Sequence, residues 1–590
     1  MPADRPRITH WMGIACACVA VLLYANTLQH GYALDDFPTI YGNRLTMSGV
    51  KGIPTLLHTA YWYGFDGQND WLYRPLSMVM FAIEWQLAPN TPALGHWINV
   101  LVYALSAVVL FRFLRELFDT FHIAVPLAVS LLWIAHPIHT EVVANIKSRD
   151  ELLAFLFSIL TIRECVRYVK APHRHQLTLA GCYFFLALLA KESPITLIAI
   201  VPLTLFVFTR ADAARLGRVM VPIAIAAATY LAIRSSVLTS QIGGGAISLI
   251  DNSLVAAPDF AHREATAFYI AAKYLALLFL PHPMSSDYSF RQIPIVGFDN
   301  PIAIGSLILH VALGVFAVMR LTRKDPVGYG ILFYLVGMSL VANVLFLTRS
   351  TMADRFLFMP SLGFCIVVVV VLARLLAVDV RSRAHDAAVP EPSSLSKPFA
   401  MLIGCVLIAY TLQTWARNPD WENDTTIFAA DATHSPNSAR VHFLNGNHAL
   451  QELKQGKVPV SLQRQQYFLV MKEFRRAIEL YPAYAEPHVG IGEAYTFGGD
   501  FPAAIDWYRR IVTRNPRYGV GHRLLGNAFF ATQQYDSAIV HLKRSIAEDP
   551  SQADAHNAYA LGLSYQAKGD LESARSFLDK AYALDPSLKK

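Results

Sequence analysis

The sequence predicts an all-α protein in two parts, a polytopic helical membrane portion followed by a stacked helical-repeat solenoid. Three observations carry this. Of 590 residues, 54% are hydrophobic and only 16% are charged, where a globular chain carries about 25% charged residues. Uncharged runs long enough to cross a bilayer recur up to residue 416. Beyond residue 437, Pro482, Pro516, Pro550 and Pro586 follow one another at 34, 34 and 36 residues, the interval of a helical repeat. A mean hydropathy of +0.35 and 12% aromatic residues exclude a disordered chain, a coiled coil and a small disulfide scaffold. The net charge of +7 invites a nucleic-acid reading. Its cations, however, sit in short clusters between apolar runs, as the loop charges of membrane proteins do, so no nucleic-acid partner is expected.

Eleven crossings are expected, near 11–28, 96–114, 122–138, 150–166, 176–190, 194–209, 219–233, 302–319, 327–347, 359–378 and 400–416. Arg5, Arg7 and His10 precede the first run like the start of a signal peptide. No small-residue cleavage site follows, so a retained crossing is expected. With the N-terminus cytoplasmic, the cytoplasmic loops collect Arg112 and Arg115; Arg163, Arg167, Lys170 and Arg174; Arg210, Arg215 and Arg218; Arg320, Arg323 and Lys324; and Arg381, Arg383 and Lys397. The pattern holds only if the run 265–281 does not fully cross, so that run is expected to be re-entrant or interfacial. Segments 29–95, 139–149, 235–300 and 348–358, and everything after Trp415, then face the non-cytoplasmic side. All six cysteines lie in apolar stretches with no C-x-x-C pair and read as small buried hydrophobes.

Three regions follow: a membrane domain at 1–416, a connector at 417–436 and a repeat domain at 437–590. A polar Pro- and Ser-rich cytoplasmic linker at 379–398 interrupts the first. In the repeats GIGEAY, LLGNAFF and ALGLSY align, each followed by AAIDWYRR, SAIVHLKR or SARSFLDK. A 34-residue helix–turn–helix period with this alternation of small and aromatic residues is the tetratricopeptide signature, with units near 437–482 (irregular), 483–516, 517–550 and 551–586. Stacked units of this kind leave a concave groove suited to a protein partner.

Four non-cytoplasmic segments carry the residues suited to chemistry. YALDDFPTIYGN places Asp35 and Asp36 just beyond the first crossing, where carboxylates are costly. Adjacent carboxylates repel, so one holds its proton more tightly and suits a general base; alternatively, the pair opens a helix whose first turn holds Pro38. WLYRPLSMVMF puts Arg74 before a stretch suited to lie along the membrane surface. HPIHTEVVANIKSRDELLAF supplies His136, His139, Glu141, Lys147, Arg149, Asp150 and Glu151. Its His and Glu spacing matches no strong zinc pattern, so no metal is assigned, although a divalent cation is compatible with the chemistry. Lys147 and Arg149 suit an anion, Arg through its planar fork and Lys as a compact charge. Lys191 and Glu192 occupy a short turn, and Arg349, Asp354 and Arg355 mark the fourth segment. Acids and cations converging on the face that positive charge normally avoids suit transfer of a group from a lipid-linked phosphate.

At these residues the chain resembles a known family. The order of DD near the first crossing, YRPL, HP-x-HTE, AKES, HPMSSDYSF, ADRFLFMPSLGF, RNPDW and tetratricopeptide repeats resembles the transmembrane-and-tetratricopeptide-repeat O-mannosyltransferases of the GT-C superfamily. The resemblance implies a GT-C-like membrane domain and inverting transfer of mannose from a dolichyl- or polyprenyl-phosphate donor to protein Ser or Thr on the luminal or periplasmic side. It implies Asp35 as base with Asp36 orienting it or the acceptor. Arg149, Lys147, Arg355 and Arg74 would contact the donor phosphate, and His136, His139, Glu141, Glu151, Lys191 and Glu192 would shape the donor pocket. A compact, Ala-rich chain favours a bacterial inner membrane and an undecaprenyl carrier; a eukaryotic version would sit in the endoplasmic reticulum. Two other functions fit the same sequence: a membrane-anchored repeat scaffold for external proteins, and a transferase acting on a lipid or glycan.

Overall fold

The computed structural model describes residues 4–67, 71–238, 247–376 and 396–589. Every element among them is helical. They form two compact units, one of residues 1–288 and 293–430, the other of residues 289–292 and 431–590. Most of the 379–398 linker, with Arg381 and Arg383, lies outside the described residues.

Among the described residues of the first unit, five helices are long and apolar enough to cross a membrane: Ile8–Thr27, Pro92–Leu117, Ala213–Leu238, Pro301–Leu321 and Lys397–Trp421. A sixth arises if Ala124–Ala135 and Pro137–Ala144, bent by 51° at His136, count as one span. Fewer helices therefore meet these tests than the eleven expected. The runs near 194–209, 327–347 and 359–378 become the shorter apolar helices Ser193–Phe208, Pro326–Met338 and Ser361–Leu375. An apolar run marks hydrophobic surroundings but does not fix where the helix ends. The run near 150–166 sits in a 22-residue helix, Arg149–Lys170, that carries charge at both ends. The run 265–281 lies in Phe260–Phe279, whose first turns hold Arg263 and Glu264, and it is not among the candidate spans. This unit is a multi-pass helical bundle around one apolar core that includes Tyr103, Trp133, Phe155 and Phe358.

The loop after the first helix folds back over this bundle. Ile40, Leu56 and Tyr61 pack on Met78, Phe81 and Ala82 of helix Pro75–Leu87 and on Ile146. These contacts anchor the segment that carries the paired aspartates.

The second unit contains four helix pairs, beginning with Ala439–Lys454 and Val460–Leu480 and ending with Ala555–Lys568 and Leu571–Leu584. Aromatic and leucine side chains fill the gaps left by glycines, Phe474 against Gly490 and Tyr508 against Gly492 among them. A Cβ at Gly526 would come within 2.7 Å of Leu542, and one at Gly562 within 2.6 Å of Leu578, so the repeat needs glycine where helices touch. The stretch Ser289–Gln292 belongs to this unit: Arg291 N donates to Asn437 O, and Ala439 N to Phe290 O.

Candidate active site

The segment 136–150 is an irregular path between two helices, and the site is built on it. His136 caps the turn Pro137–His139 by accepting from Ile138 N. Asn145 caps the turn Ile146–Ser148 by accepting from Ser148 N, while its Nδ2 donates to Ala33 O at 2.9 Å. Asn99, on helix Pro92–Leu117, donates to Asn145 O at 2.9 Å. These amides stitch the aspartate loop to the segment that carries the cations.

The two aspartates occupy different environments. Asp36 is fully enclosed, its oxygens accepting Ala33 N at 3.0 Å and Lys147 N at 2.7 Å. Burial raises its carboxyl to about 7, with the neighbouring Asp35 charge a lesser cause. Asp35 is 46% exposed, and its carboxylate lies 3.6 Å from Lys147 Nζ. Its backbone is set by Leu34, whose φ of 52° is in the left-handed region and whose N–H donates to Asp424 Oδ1 at 2.7 Å. The raised carboxyl is thus the enclosed one, whereas the accessible one stands beside a cation.

From Lys147 an alternating ladder of charge runs across the site. Lys147 Nζ lies 3.7 Å from Asp150, and Asp150 accepts from Arg74 at 2.8 Å. Arg74 closes a fork on Glu192 with contacts of 2.9 and 2.5 Å, and Lys191 pairs with Glu151. Glu141 accepts from Arg355 Nη1 at 2.5 Å and from Arg355 N at 3.0 Å. Aromatic faces lie under the cations: Tyr61 under Arg74 and Lys147, and Phe356 under Lys191 and Arg355. Burial holds the Lys191 ammonium below its usual range, although Glu151 opposes this.

Of the cations, two keep donors for an incoming anion. Among the described residues, Lys147 Nζ makes only its two long ion pairs, and Arg355 uses Nη1 alone of its side-chain nitrogens. Arg355 is 23% exposed on its side chain and feels the field of Asp35. Two of the cations expected at the phosphate, Arg149 and Arg74, are committed to partners within the protein. Arg149 is 0% exposed; its Nε donates to Asn99, Nη2 to Gly95 O, and Nη1 pairs with Glu84, over the face of Phe81. Enclosed and bonded at all three nitrogens, it is not placed to meet a phosphate. Arg74 is likewise buried and spent on Asp150 and Glu192. His136 and His139 do not line an open pocket either. His136 bonds Leu278 O, and His139 sits between the Tyr103 and Ser361 hydroxyls. They brace the bend between two helices. Arg349 lies over the Trp71 ring, and Asp354 accepts from Tyr288. Among the described residues, no group of three or more His, Cys, Asp or Glu side chains is arranged to hold a metal ion.

Sequence reasoning missed Glu84, Asn99, Asn145 and Asp424. A signal for the first two was present: each is a polar residue inside an otherwise apolar stretch, PLSMVMFAIEWQL and HWINVLVY. Nothing local marks Asp424, which lies 390 residues from its partner.

Asp36 yields a pH test. Its folded carboxyl holds a proton more tightly than the unfolded chain does, so the stabilisation is complete below about pH 4 and is lost as pH rises through about 7. Melting temperature measured from about pH 4 to about pH 8 should fall more steeply for wild type than for Asp36→Asn. Parallel curves would show that this carboxyl does not titrate in that window.

Fold and site together define a multi-pass membrane protein with a buried ion-pair network beside one accessible aspartate, followed by tetratricopeptide repeats. Family models for tetratricopeptide repeats match residues 472–518, 526–569 and 555–588. Over most of its length the chain is distantly homologous to the transmembrane-and-tetratricopeptide-repeat O-mannosyltransferases. It is 24% identical to human protein O-mannosyl-transferase TMTC3, with 83% of this chain and 53% of that protein covered. It is 24% identical to Drosophila melanogaster Tmtc3, covering 82% of this chain and 56% of that one. With mouse TMTC4 the identity is 23%, covering 73% and 63%. The chain thus spans just over half to under two thirds of the length of these curated relatives. Among solved structures, a crystal structure of MamA protein is similar at 19% identity over 29% of this chain and 86% of that one, with a TM-score of 0.23.

Proposed function

We propose that this chain is a membrane glycosyltransferase that moves a sugar, mannose by homology, from a polyprenyl-phosphate donor to a Ser or Thr hydroxyl of a protein. The reaction takes place on the non-cytoplasmic face of a GT-C-like membrane domain, with inversion at the sugar carbon. The carrying observation is the pairing of accessible Asp35 with Lys147 at 3.6 Å, beside the incompletely bonded Arg355. Asp35 takes the proton of the acceptor hydroxyl as its oxygen attacks the anomeric carbon. The bond from that carbon to the phosphate oxygen breaks, and the electron pair leaves with the polyprenyl phosphate. Lys147 and Arg355 stabilise the charge that gathers there. Asp36 fixes the loop that carries the base, and Glu141 and Asp150 aim the two cations. The repeats present the protein acceptor.

The distant homology and several candidate spans support this reading. The test is transfer of radiolabelled mannose from a synthetic polyprenyl-phosphate-mannose to an acceptor peptide by the purified chain. Lys147→Ala and Arg355→Ala should each slow turnover about a hundredfold. Lys147→Ala should leave the melting temperature little changed, because Asp150 keeps Arg74, whereas Arg355→Ala should also lower it by stranding the buried Glu141. Wild-type rates in both variants would remove the assigned phosphate contacts; no transfer by wild type from any polyprenyl-phosphate sugar would favour the scaffold function.

A further inference from the structure

A cavity in the membrane unit takes no part in that function. Two helical segments begin at the charge ladder and end at this cavity: Arg149–Lys170 and Ser193–Phe208. A helix of 22 residues is about 33 Å long, roughly the thickness of a hydrocarbon layer. The cavity therefore lies at the opposite membrane boundary from Asp35.

Its volume is about 430 Å³, and its wall includes Lys170, Arg210, Arg215 and Lys324 beside apolar Val207 and Phe208. Helix ends account for part of this charge, since terminal carbonyls attract cations. Lys170 is occupied by Asp119 and Glu116 O, both at 2.7 Å; Arg215 donates to Val169 O at 3.2 Å and lies 3.8 Å from Asp212. The other two are different. Lys324 Nζ donates only to Thr209 O at 3.1 Å, and among the described residues neither it nor Arg210 has a carboxylate within 4.0 Å. Arg210 makes no hydrogen bond there at all. Among the described residues, two cations without a carboxylate partner thus face a cavity large enough for a phosphate group. Phe206, 51% exposed and beneath Lys324 at 5.4 Å, offers an apolar track beside it.

We infer that this cavity binds the phosphate headgroup of a membrane lipid, held by Arg210 and Lys324, on the face opposite the transfer site. An Arg fork can grip two phosphate oxygens while Lys supplies a point charge, and basic pockets between membrane helices suit anionic headgroups. The exposed Phe206 beside the cations favours a lipid over free phosphate, because it leaves a place for an acyl or prenyl chain. The inference stands apart from the catalytic reading and survives if that reading fails.

The test is a lipid titration of the detergent-purified full chain by native mass spectrometry, with phosphatidic acid, undecaprenyl phosphate, inorganic phosphate and phosphatidylcholine as probes. The transfer site also faces lipid phosphate, so the readout is the difference between wild type and the variant Arg210→Gln with Lys324→Gln. Both positions are exposed, so the variant should keep the wild-type melting temperature. Affinity for the lipid phosphates should fall about fivefold per cation removed, while Arg323→Ala, outside the cavity, leaves it unchanged. Undecaprenyl phosphate bound more tightly than phosphatidic acid identifies the carrier as ligand; the reverse order identifies bulk phospholipid. Equal lipid-phosphate affinity in wild type and variant, or phosphatidylcholine bound as tightly as phosphatidic acid, overturns the site. Inorganic phosphate competing on equal terms overturns its assignment to a lipid.

Discussion

Asp35→Asn is expected to lower sugar transfer by about 10²–10⁴-fold while leaving the folded protein intact. The amide keeps the size and polarity of the side chain but cannot take the acceptor proton. The fold loses little, because the Asp35 side chain is 46% exposed and its one ion pair, to Lys147, is 3.6 Å long. Partly exposed pairs of this kind are worth about 0–1 kcal/mol. The loop keeps its own bonds: Thr39 Oγ1 still donates to the backbone oxygen of residue 35, and Leu34 N still donates to Asp424. Asp36→Asn should behave in the opposite way. There the enclosed carboxylate accepts from two backbone N–H groups, and an amide leaves one of them facing another donor, which costs about 1–3 kcal/mol. The pair of variants therefore separates chemistry from architecture. Initial rates should fall in kcat for Asp35→Asn with an unchanged melting temperature. For Asp36→Asn the melting temperature should fall as well. Turnover close to wild type in Asp35→Asn would end its assignment as the base.

The ingredients of the site were legible in the sequence because they are violations. Carboxylates and cations beside apolar spans stand out, so Asp35, Asp36, Glu141, Lys147, Asp150, Glu151, Lys191, Glu192 and Arg355 could be selected without coordinates. Their partners were not legible, because which cation meets which acid depends on how helices distant in sequence pack. Arg149 and Lys147 are two residues apart and look equivalent in SRDE and NIKS. Two residues on, the chain has turned into a helix, so one side chain enters the wall and the other faces Asp35. Hydropathy likewise identified apolar runs but not helix ends. The run near 327–347 continues nine residues beyond the observed helix end at Met338, into turns held by Asn343 and Thr348. The repeats were the most legible part, since their period is written in prolines and their helix contacts in glycines such as Gly526 and Gly562.

Arg149→Ala should sharply lower both the yield and the melting temperature of the folded protein, and not merely slow it as a catalyst. Its guanidinium is enclosed, stacked on Phe81 at 4.7 Å, and is the counter-charge of Glu84. Removing one member of a buried pair strands the other and costs about 3–5 kcal/mol, against a total stability of about 5–15 kcal/mol. The loss also strands Asn99 Oδ1 and Gly95 O, which accept from the same side chain. Lysine is no substitute, since it can neither stack nor reach three acceptors in a plane. The decisive variant is Arg149→Met combined with Glu84→Gln. It removes both charges at similar volume, and replacing a buried pair by uncharged groups is often neutral. If Arg149 is a strut, the double variant should recover most of the yield and melting temperature lost in Arg149→Ala, and much of the transfer activity with them. If Arg149 instead meets the donor phosphate, the double variant should fold and remain inactive. Recovery of fold without recovery of turnover is therefore the result that would return Arg149 to the reaction.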